Sequence, residues 1–597
     1  MESLKNSKYK KIFTILSAFT LIISYVMLEQ LPLKVGSVFL NNVGKNVFLP
    51  HSINDKTGVV YSYDSVIYSS AFSSSYLRIV PDDCLKKLIV NEKIIRIDNI
   101  ENICNWKSGF VINLESYLKS GENKLSFYVE LKDSIGGLNI IPIQDRHSIA
   151  YRTASLIMMI SLSILVFSVV RFFGFSNEIS LLMVLGTLLR VIYLSYTDFD
   201  TRTYDVTLSS GHLDYIKMIA NNYILPNPTQ GWEYHQPPLY YIVAALFYKF
   251  GTLVTFINEL VLLQILSLIQ FSVFLFYSLK ILSLSIYNKK ILFFVSIIII
   301  FWPSGIIHSI RLGNDVMFYM LFAISSYYTI LWRQQKIKLF WALLFASLAL
   351  ITKSNGIILF AVIGSLLLLE LYSHREYKKF FIDFRNIMIF FIIAFLINFA
   401  DNIYYALQDN SKDWLVSNVI NTINSKLFVN NNLENYIYFD FKTYFVEPYI
   451  DTWNDKYGRQ YFWNFLFKSS LFAEFFFDNN FQITVASLIG FLSFGIFAYI
   501  IMGILLIKKV TSENYAIYLL ILFFSIFALL VYRIKIPVSC NTDFRYILPV
   551  LIPMSYFYAL SLEYFRDKKY IVLELFGYLQ TLLLLLFSVS FFIYPMF

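Results

Sequence analysis

Charged residues are scarce in this chain of 597 residues, of which only 15% are Asp, Glu, Lys or Arg. Hydrophobic residues make up 57% of the chain and aromatic residues 19%, and the mean hydropathy is +0.59. A soluble domain does not need so much apolar surface. Many windows of about 18 residues are nearly free of charge, long enough to cross a hydrocarbon layer of roughly 30 Å. The composition therefore predicts a polytopic α-helical membrane protein.

Motifs for nucleotide use are missing as well. The sequence contains neither a Walker loop nor a Gly-rich dinucleotide fingerprint, which argues against transport driven by nucleotide hydrolysis. The net charge of +9 does not indicate nucleic acid as a partner. Lys and Arg instead cluster in short loops between apolar runs, as the positive-inside rule predicts for cytoplasmic loops.

Cysteine and histidine are also rare, with three and six residues. No Cys/His spacing typical of a zinc site occurs. Cys84 and Cys104 both flank predicted strands in a segment expected outside the cell, where an oxidising compartment favours a disulfide between them. Two buried free thiols are the alternative. Cys540 is left without a partner near a predicted loop.

The first 148 residues carry one apolar run and one strand-rich segment. The run in KNSKYKKIFTILSAFTLIISYVML (5–28) has a basic front and predicts a signal anchor, with a cleaved signal peptide as the alternative. Residues 31–148 alternate polar and apolar positions between Gly/Asn/Asp turns, which predicts an extracytoplasmic antiparallel β-sandwich. NEK (91–93) and SGEN (120–123) fit hairpin tips. The segment is loosely similar to jelly-roll, carbohydrate-binding-module-like sandwiches; a scaffold without a ligand is the alternative.

Fourteen apolar runs are present, and basic markers fix which loops are cytoplasmic. These markers are Lys280 with Lys289/Lys290, Arg333/Lys336/Lys338, Arg375/Lys378/Lys379, Lys508/Lys509 and Arg566/Lys568/Lys569. If all these markers lie on the cytoplasmic side, one of the apolar runs before residue 280 does not cross the membrane. The run 238–255 is short and begins with two prolines, so we expect it to be re-entrant or to lie on the surface. About thirteen transmembrane helices remain.

This topology divides the chain into five parts: a signal anchor (1–30), the β domain (31–148), a transmembrane core (149–402) with an outer loop at 197–257, a large outer loop (403–482) and C-terminal transmembrane helices (483–597). Polar insertions collect on the outer face. Three of the six histidines, His212, His235 and His308, lie at or near that face. Titratable groups concentrated at one end of a bundle indicate a functional site there.

The outer loop 197–236 carries most of the candidate residues. Asp198, Asp200, Asp205 and Asp214 lie close to the predicted membrane surface, although any one of them fits a solvated loop. Residues 211–223 have helical spacing of apolar positions, which predicts an amphipathic helix at the interface. Two prolines then end the loop and start the next helix.

The order of these motifs resembles a known superfamily. An acidic outer loop and amphipathic helix are followed by HQPPLYYIVAALF, RLGNDVMFYMLF, LITKSNGIILF and FRYILPVLIP. This arrangement is similar to the GT-C superfamily of polyprenyl-phosphate-sugar-dependent glycosyltransferases, in its family 39-like branch of protein mannosyltransferases and aminoarabinose transferases. The similarity covers 178–402 well and 483–594 more loosely, and HQPPLYY stands where these proteins often carry an HPPLYY-like segment.

The resemblance implies that a sugar leaves a lipid phosphate and joins an acceptor on the outer face with inversion. A carboxylate must then take the acceptor proton. The family usually has an Asp-Glu pair before a helical Tyr, whereas here Gly211-His212 precedes Tyr215. The catalytic base is therefore expected to be Asp205, with Asp200 as second choice.

The other expected roles concern substrate binding. Cations and hydrogen-bond donors must stabilise the departing phosphate, and the acceptor must be held beside it. The candidates for binding donor or acceptor are His212, Tyr215, Glu233, His235, Arg311, Asn314, Asp315, Lys353, Arg545 and Tyr546. Interfacial snorkelling is the alternative for Arg311 and Lys353, helix capping for Asn314 and Asp315, and a hydrogen bond to a loop carbonyl for His235.

The expected partners are a polyprenyl-phosphate-linked sugar, membrane lipid, and a glycan, lipid or protein acceptor. No cofactor is expected, although the acids are candidate ligands for a divalent metal, as in some members of the superfamily. Two other functions fit the sequence less well. A transporter or flippase of lipid-linked sugars is expected to keep charges deep in several spans. An inactive relative acting in assembly or carbohydrate binding would explain the missing Asp-Glu pair.

Overall fold

The computed structural model describes residues 2–596 except 48, 50, 55, 70–72, 98–102, 105–108, 133, 134, 144, 146, 147, 202–204, 207–209, 254–257, 409–422, 475, 476, 478 and 507–513. The chain forms two compact units, Met1–Val169 and Val170–Phe597. The first contains the β domain, and the second contains most of the helices. The described part of the chain thus has the mainly helical architecture, with one β region, that the composition predicts.

The first unit starts with helix α1 (Glu2–Gln30) and ends within α2 (Ile149–Phe172). Between them lie ten strands: β1 (Lys34–Leu40), β2 (Lys45–Val47), β3 (His51–Asn54), β4 (Val60–Ser69), β5 (Tyr76–Pro81), β6 (Cys84–Val90), β7 (Lys93–Ile95), β8 (Phe110–Asn113), β9 (Gly121–Glu130) and β10 (Ile135–Ile143). All ten strands lie between Lys34 and Ile143.

The strands form two antiparallel sheets, one of six strands in the order β2-β1-β4-β9-β6-β7 and one of four in the order β3-β10-β5-β8. The tip at 91–93 joins β6 to β7, and Asn91 and Glu92 both have positive φ, as a tight hairpin turn requires. The predicted tip at 120–123 is wrong. Gly121 instead begins β9, which pairs along its length with β4, so this turn connects two different sheets.

Both sheets contribute to one hydrophobic core. Alternate residues point inward along the strands, for example Tyr63 and Ile67 of β4, Phe127 of β9 and Leu77 of β5. The expected disulfide joins Cys84 to Cys104 beside this core. It ties the start of β6 to the long connection that follows β7.

The second unit is helical. After α2 come α3 (Asn177–Ser195), α4 (His212–Asn222), α5 (Leu239–Leu253), α6 (Glu259–Ser285), α7 (Lys289–Phe301), α8 (Pro303–His308), α9 (Asn314–Arg333), α10 (Phe340–Thr352), α11 (Ile357–His374), α12 (Tyr377–Gln408), α13 (Glu434–Ile437), α14 (Phe441–Val446), α15 (Phe462–Phe472), α16 (Asn480–Leu505), α17 (Tyr515–Lys535), α18 (Leu551–Asp567) and α19 (Ile571–Ile593). Helices α13–α15 lie inside the segment expected to be a large loop.

Among the described residues, nine helical segments are long and apolar enough to cross a membrane: Ile149–Phe172, Asn177–Ser195, Glu259–Ser285, Ser354–His374, Tyr377–Gln408, Asn480–Leu505, Tyr515–Lys535, Ser539–Asp567 and Ile571–Met596. The chain therefore has the character of a multi-pass membrane protein. Helices α5 and α10 have 15 and 13 residues, so both are shorter than a straight crossing needs, and length alone does not distinguish α5 from the crossing helices. The count of thirteen spans stays a prediction.

A break in the helix after α7 is stabilised by a buried arginine. The chain leaves helical geometry at Trp302, whose ψ is 124°, and Pro303 starts α8, so the carbonyl of Ile300 is not followed by a continuous helix. Arg190 of α3 donates from Nη2 to this carbonyl at 2.8 Å and from Nη1 to Gly186 at 2.9 Å, with its guanidinium over the ring of Phe271. This arginine supports the backbone next to the region where the charged side chains gather.

Candidate functional site

Buried charged side chains meet at the ends of helices that are far apart in the sequence. Asp205, His212 and Glu233 come from the connection between α3 and α5, and Arg311 from the turn between α8 and α9. Lys353 directly follows α10, Asp315 lies in the first turn of α9, Glu474 follows α15, and Asp543 and Arg545 precede α18. Each of these side chains is less than a tenth exposed. Isolated charges are not buried in proteins without partners, so their pairing is the first property of this site.

Asp205 is clamped by two arginines. Nη2 of Arg311 donates to Oδ1 at 2.7 Å and to Oδ2 at 2.8 Å, and Nη1 of Arg545 donates to Oδ2 at 3.1 Å. Burial raises the pKa of Asp205, but the two guanidinium groups outweigh burial and hold it well below its ordinary value. Asp205 is therefore a charged carboxylate between two cations.

Backbone hydrogen bonds hold the acidic loop against the start of α4. The amide of His212 donates to the carbonyl of Asp205 at 2.9 Å, and the amide of Glu233 donates to the carbonyl of Ser210 at 3.0 Å. The carboxylate of Asp214 accepts from the amide of Ser210 at 2.8 Å, in the manner of an N-terminal cap. Asp205, His212 and Glu233 are thereby fixed close together although 28 residues separate the first from the last.

His212 lies between two carboxylates. Its Nε2 is 3.6 Å from Oδ2 of Asp205 and 3.8 Å from Oε2 of Glu233, and its Nδ1 is 2.7 Å from the hydroxyl of Tyr241. Burial lowers the pKa of His212, but the charges of Glu233 and Asp205 outweigh it and raise the pKa above the ordinary value. Tyr215 stacks on Tyr241 with ring centroids 3.8 Å apart, so it positions Tyr241 from behind.

Glu233 differs from the other acids of the cluster. Within the described part of the chain, no donor hydrogen-bonds its buried Oε2. Burial raises the pKa of Glu233 above its ordinary value, and although His212 lowers it, the charge of Asp205 raises it further. A buried carboxyl group with a raised pKa and an unused lone pair is suited to take up a proton.

A second ion pair lies beside the first cluster. Nζ of Lys353 donates to Oδ1 of Asp315, and the ammonium lies 4.8 Å from the ring centroid of Tyr546. Asn314, the first residue of α9, donates from Nδ2 to the side chain of Gln236 at 3.0 Å and to the carbonyl of Thr352 at 3.2 Å. Asn314 thus joins three chain segments and does not cap its own helix.

Arg545 connects Asp205 to two further acids, Glu474 and Asp543. Besides Asp205, its Nη2 lies 3.7 Å from Oε1 of Glu474, its Nε lies 3.3 Å from Oδ2 of Asp543, and its guanidinium lies 5.0 Å from the ring centroid of Tyr546. Burial raises the pKa of Glu474 well above its ordinary value, and the neighbouring Asp543 adds to this rise. Glu474 is therefore a second carboxyl group of the cluster that favours its protonated form.

Among the described residues of the cluster, acids outnumber cations. Five buried carboxyl groups (Asp205, Glu233, Asp315, Glu474 and Asp543) face three buried cations (Arg311, Lys353 and Arg545). Full ionisation of these side chains would leave two negative charges in excess, which burial makes costly. Protons on Glu474 and on either Glu233 or His212 relieve that excess.

Two sequence candidates lie outside this constellation. Asp200 is exposed on the loop and is not among the residues that contact Asp205 or the arginines in the described structure. His235 is half-buried, with its buried Nδ1 lacking a hydrogen-bond partner in the described structure and its Nε2 at 3.3 Å from Nε2 of Gln236. Burial lowers the pKa of His235 to about 4, so it is neutral at physiological pH. It does not provide a positive charge for a phosphate.

A small pocket beside Arg311 is lined by Tyr193, Phe199 and Ile310, and the exposed Asp198 is also among its lining residues.

A metal ion fits the cluster poorly. Asp205, His212 and Glu233 offer ligand atoms within 4.8 Å of one another. Both oxygens of Asp205 already accept from arginine, however, and the guanidinium groups of Arg311 and Arg545 would repel a cation at this place. We therefore assign no metal to these three residues.

Three members of the site were not singled out in the sequence. Asp543 lies two residues before Arg545, in a segment that drew notice only for its arginine. Tyr241 belongs to HQPPLYY, where only its place in an apolar helix can be read from the sequence. Glu474 stands alone among aromatic residues, and a single acid in FAEFFF (472–477) is the one signal that sequence offers.

Comparisons with known proteins give no family for the chain. No protein-family model matches it, and no curated protein matches it at a significant level.

Proposed function

We propose that this chain is a membrane-embedded glycosyltransferase that transfers a sugar from a polyprenyl-phosphate donor to an acceptor on the extracytoplasmic face, with inversion, as GT-C enzymes do. One observation carries the proposal. Arg311, Arg545 and Lys353 converge with buried carboxyl groups at the ends of helices. Transfer from a phosphate ester needs cations for the leaving group and a carboxylate for the acceptor proton, side by side.

The orientation follows from the positive-inside rule. Thirteen crossings, made by α1–α3, α6, α7 with α8, α9–α12 and α16–α19, put the basic connections inside. The same count puts the acidic loop before α5, the turn at Arg311, the residues after α10 and the segment before α18 outside. The connections that supply the charged cluster therefore share one face, which we propose is the outer surface of the plasma membrane.

Asp205 marks the place of the leaving group in this proposal. Its carboxylate accepts two hydrogen bonds from Arg311 and one from Arg545. A phosphate group also presents two charged oxygens that accept charge-assisted hydrogen bonds from guanidinium groups. A donor phosphate would compete with Asp205 for these arginines and would receive the electron pair of the broken glycosidic bond there.

A transporter is less well supported, because the ion pairs of the cluster, among the described residues, gather at helix ends. The buried Arg190 lies within a helix, and its bonds to the broken helix explain its position.

The test is sugar transfer in isolated membranes. Radiolabelled polyprenyl-phosphate mannose, glucose, galactose and arabinose would be supplied to membranes with the wild-type chain or with Arg311→Gln. We expect transfer of at least one sugar by the wild type and a loss of about 100-fold or more in the variant, since a buried cation at the leaving group is removed. Arg375→Gln, an exposed arginine between α11 and α12, is the matched control and should retain full transfer. Absence of transfer by the wild type with every donor would refute the proposed function.

A further inference from the structure

The proposed reaction needs a proton acceptor, and the two carboxyl groups beside His212, Asp205 and Glu233, differ in how many hydrogen bonds they already accept. Both oxygens of Asp205 are occupied by guanidinium donors. Protonating Asp205 would break these bonds and leave two buried arginines with less countercharge, which costs free energy. Asp205 is thus a good counter-ion and a poor base.

Glu233 has the opposite properties. It is only 6% exposed, its Oε2 accepts no hydrogen bond within the described residues, and His212 lies 3.8 Å away on the side towards Asp205. An unpartnered buried oxygen is unusual, because buried polar atoms are nearly always hydrogen-bonded. Such an atom is explained when a ligand supplies the missing donor, and an acceptor hydroxyl is a donor.

We propose that Glu233 is the general base of the transfer reaction, which rests on the proposed function above. Oε2 of Glu233 takes the proton of the acceptor hydroxyl while the hydroxyl oxygen forms a bond to the anomeric carbon. The bond from that carbon to the phosphate oxygen breaks, and its electron pair leaves with polyprenyl phosphate towards Arg311 and Arg545. The proton on Glu233 passes to water once the product has left.

His212 is a positioning residue in this scheme. Its Nδ1 is held by Tyr241 at 2.7 Å, so its Nε2 is directed at the gap between Asp205 and Glu233. A protonated imidazole there favours the ionised form of Glu233 before reaction. The titratable and charged groups that face Glu233 are Asp205, His212, Tyr241, Lys353, Tyr532 and Arg545.

The pH dependence has a defined sign. A general base must be deprotonated, so kcat/KM rises as pH increases through its pKa. Because burial raises the pKa of Glu233, this rise should occur above the range of an ordinary glutamate. Asp205, whose pKa lies well below its ordinary value, cannot produce a rise in that range.

The experiment compares pH profiles of transfer for the wild type, Glu233→Gln, Glu233→Asp and Asp205→Asn, using whichever labelled polyprenyl-phosphate sugar the wild type accepts. We expect Glu233→Gln to lose about 100-fold or more in kcat and to lose the pH-dependent rise, the size expected for removing a general base. Glu233→Asp, which keeps the carboxylate, should recover part of kcat and the rise. Asp205→Asn should keep the rise. Glu376→Gln, an exposed glutamate after α11, is the matched control and should resemble the wild type.

Two results would overturn the assignment of Glu233. One is a Glu233→Gln variant that keeps more than about a tenth of the wild-type kcat, far above the residual rate that a missing base allows. The other is loss of the pH-dependent rise in Asp205→Asn but not in Glu233→Gln. If Glu233→Gln does not reach the membrane, Glu233→Asp decides alone. A lower kcat with an unchanged pH profile supports the assignment, and loss of the pH-dependent rise refutes it. Absence of transfer by the wild type would instead refute the proposed function itself.

Discussion

At the residue scale, Asp205 is the carboxylate that partly neutralises the positive charge of two buried arginines. Arg311 and Arg545 both donate to it, and little of either guanidinium is exposed. Removing the carboxylate while keeping its size should therefore create a vacant anion site in the folded protein. The consequence is measurable without knowing the donor sugar.

We predict that Asp205→Asn is destabilised by about 3 to 5 kcal/mol, the usual cost of breaking a buried ion pair. Inorganic phosphate should then restore thermal stability in detergent, because it replaces the missing charge between the arginines. The measurement is the melting temperature with and without phosphate. Asp200→Asn, an exposed acid on the same loop, is the control and should melt like the wild type at either concentration. A phosphate effect of equal size in the wild type and in Asp205→Asn would contradict the vacant-site interpretation.

The residue types of this site were predictable from the sequence, but their pairing was not. Arg311, Lys353, Arg545, Asp205 and Glu233 were all expected at the outer face because they stand at the ends of apolar runs. Which acid pairs with which cation depends on how helices pack, and Asp205 and Arg545 are 340 residues apart. The exposed Asp200 was expected as a possible base because a loop sequence does not reveal which acid turns inward.

At the element scale, several helices pack closely through glycine. A Cβ atom added to Gly503 of α16 would lie 1.9 Å from the carbonyl oxygen of Phe557 on α18, closer than real Cβ contacts occur. Backbone atoms cannot rotate away as side chains can, so the two helices would have to separate. Small residues commonly allow this close approach between helices in membranes.

We predict that Gly503→Ala lowers stability by about 1 to 3 kcal/mol, the range found for overpacked interiors. Gly364→Ala is the matched control, since nothing lies within 4 Å of a Cβ atom at this position of α11. The control should be as stable as the wild type or slightly more so, because alanine favours the helix. The melting temperatures of the two variants in the same detergent test this, and equal values would show that α16 and α18 are not in close contact.

The elements themselves were largely predictable. Each apolar run of the sequence is helical in the structure, and α5 is as short as its two leading prolines suggested. The strand alternation of the β domain was also predictable, because a two-residue period directly reflects which side is buried. The strand that pairs with β9 was not predictable. The same turn residues at 120–123 fit both a hairpin between β8 and β9 and a connection from one sheet to the other. Helices α13–α15 were not predicted: α13 and α14 have four and six residues, too few for a periodic signal, and α15 lies in a segment that was expected to be a loop.

At the scale of the whole molecule, the proposed orientation separates two tyrosines of similar exposure. Tyr223 is 81% exposed at the end of α4, and Tyr287 is 88% exposed between α6 and α7. In the proposed topology α6 crosses the membrane between them and α5 does not. This topology puts the two tyrosines on opposite faces, with Tyr223 outside and Tyr287 beside the basic residues inside.

We predict that a membrane-impermeant maleimide labels Tyr223→Cys in intact cells and labels Tyr287→Cys only after the membrane is opened. The background for both is Cys540→Ser, because Cys84 and Cys104 are joined to each other. The background chain without either added cysteine is the control and should remain unlabelled. Labelling of Tyr287→Cys alone in intact cells would reverse the proposed orientation and place the charged cluster in the cytoplasm.

Asp205 and Arg545 are far apart in the sequence, so the ion pair between them forms only after most of the chain has been synthesised. Ribosomes add roughly 5 to 20 residues per second, so tens of seconds pass between synthesis of the aspartate and of its second arginine. During most of that time Arg311 is the arginine partner of Asp205 that has been made, so the ion cluster is incomplete. The loop therefore gains its last ion pair only when the segment before α18 has been made. A chain that stops early leaves an open acidic surface by which a protease or chaperone can distinguish it from a finished one.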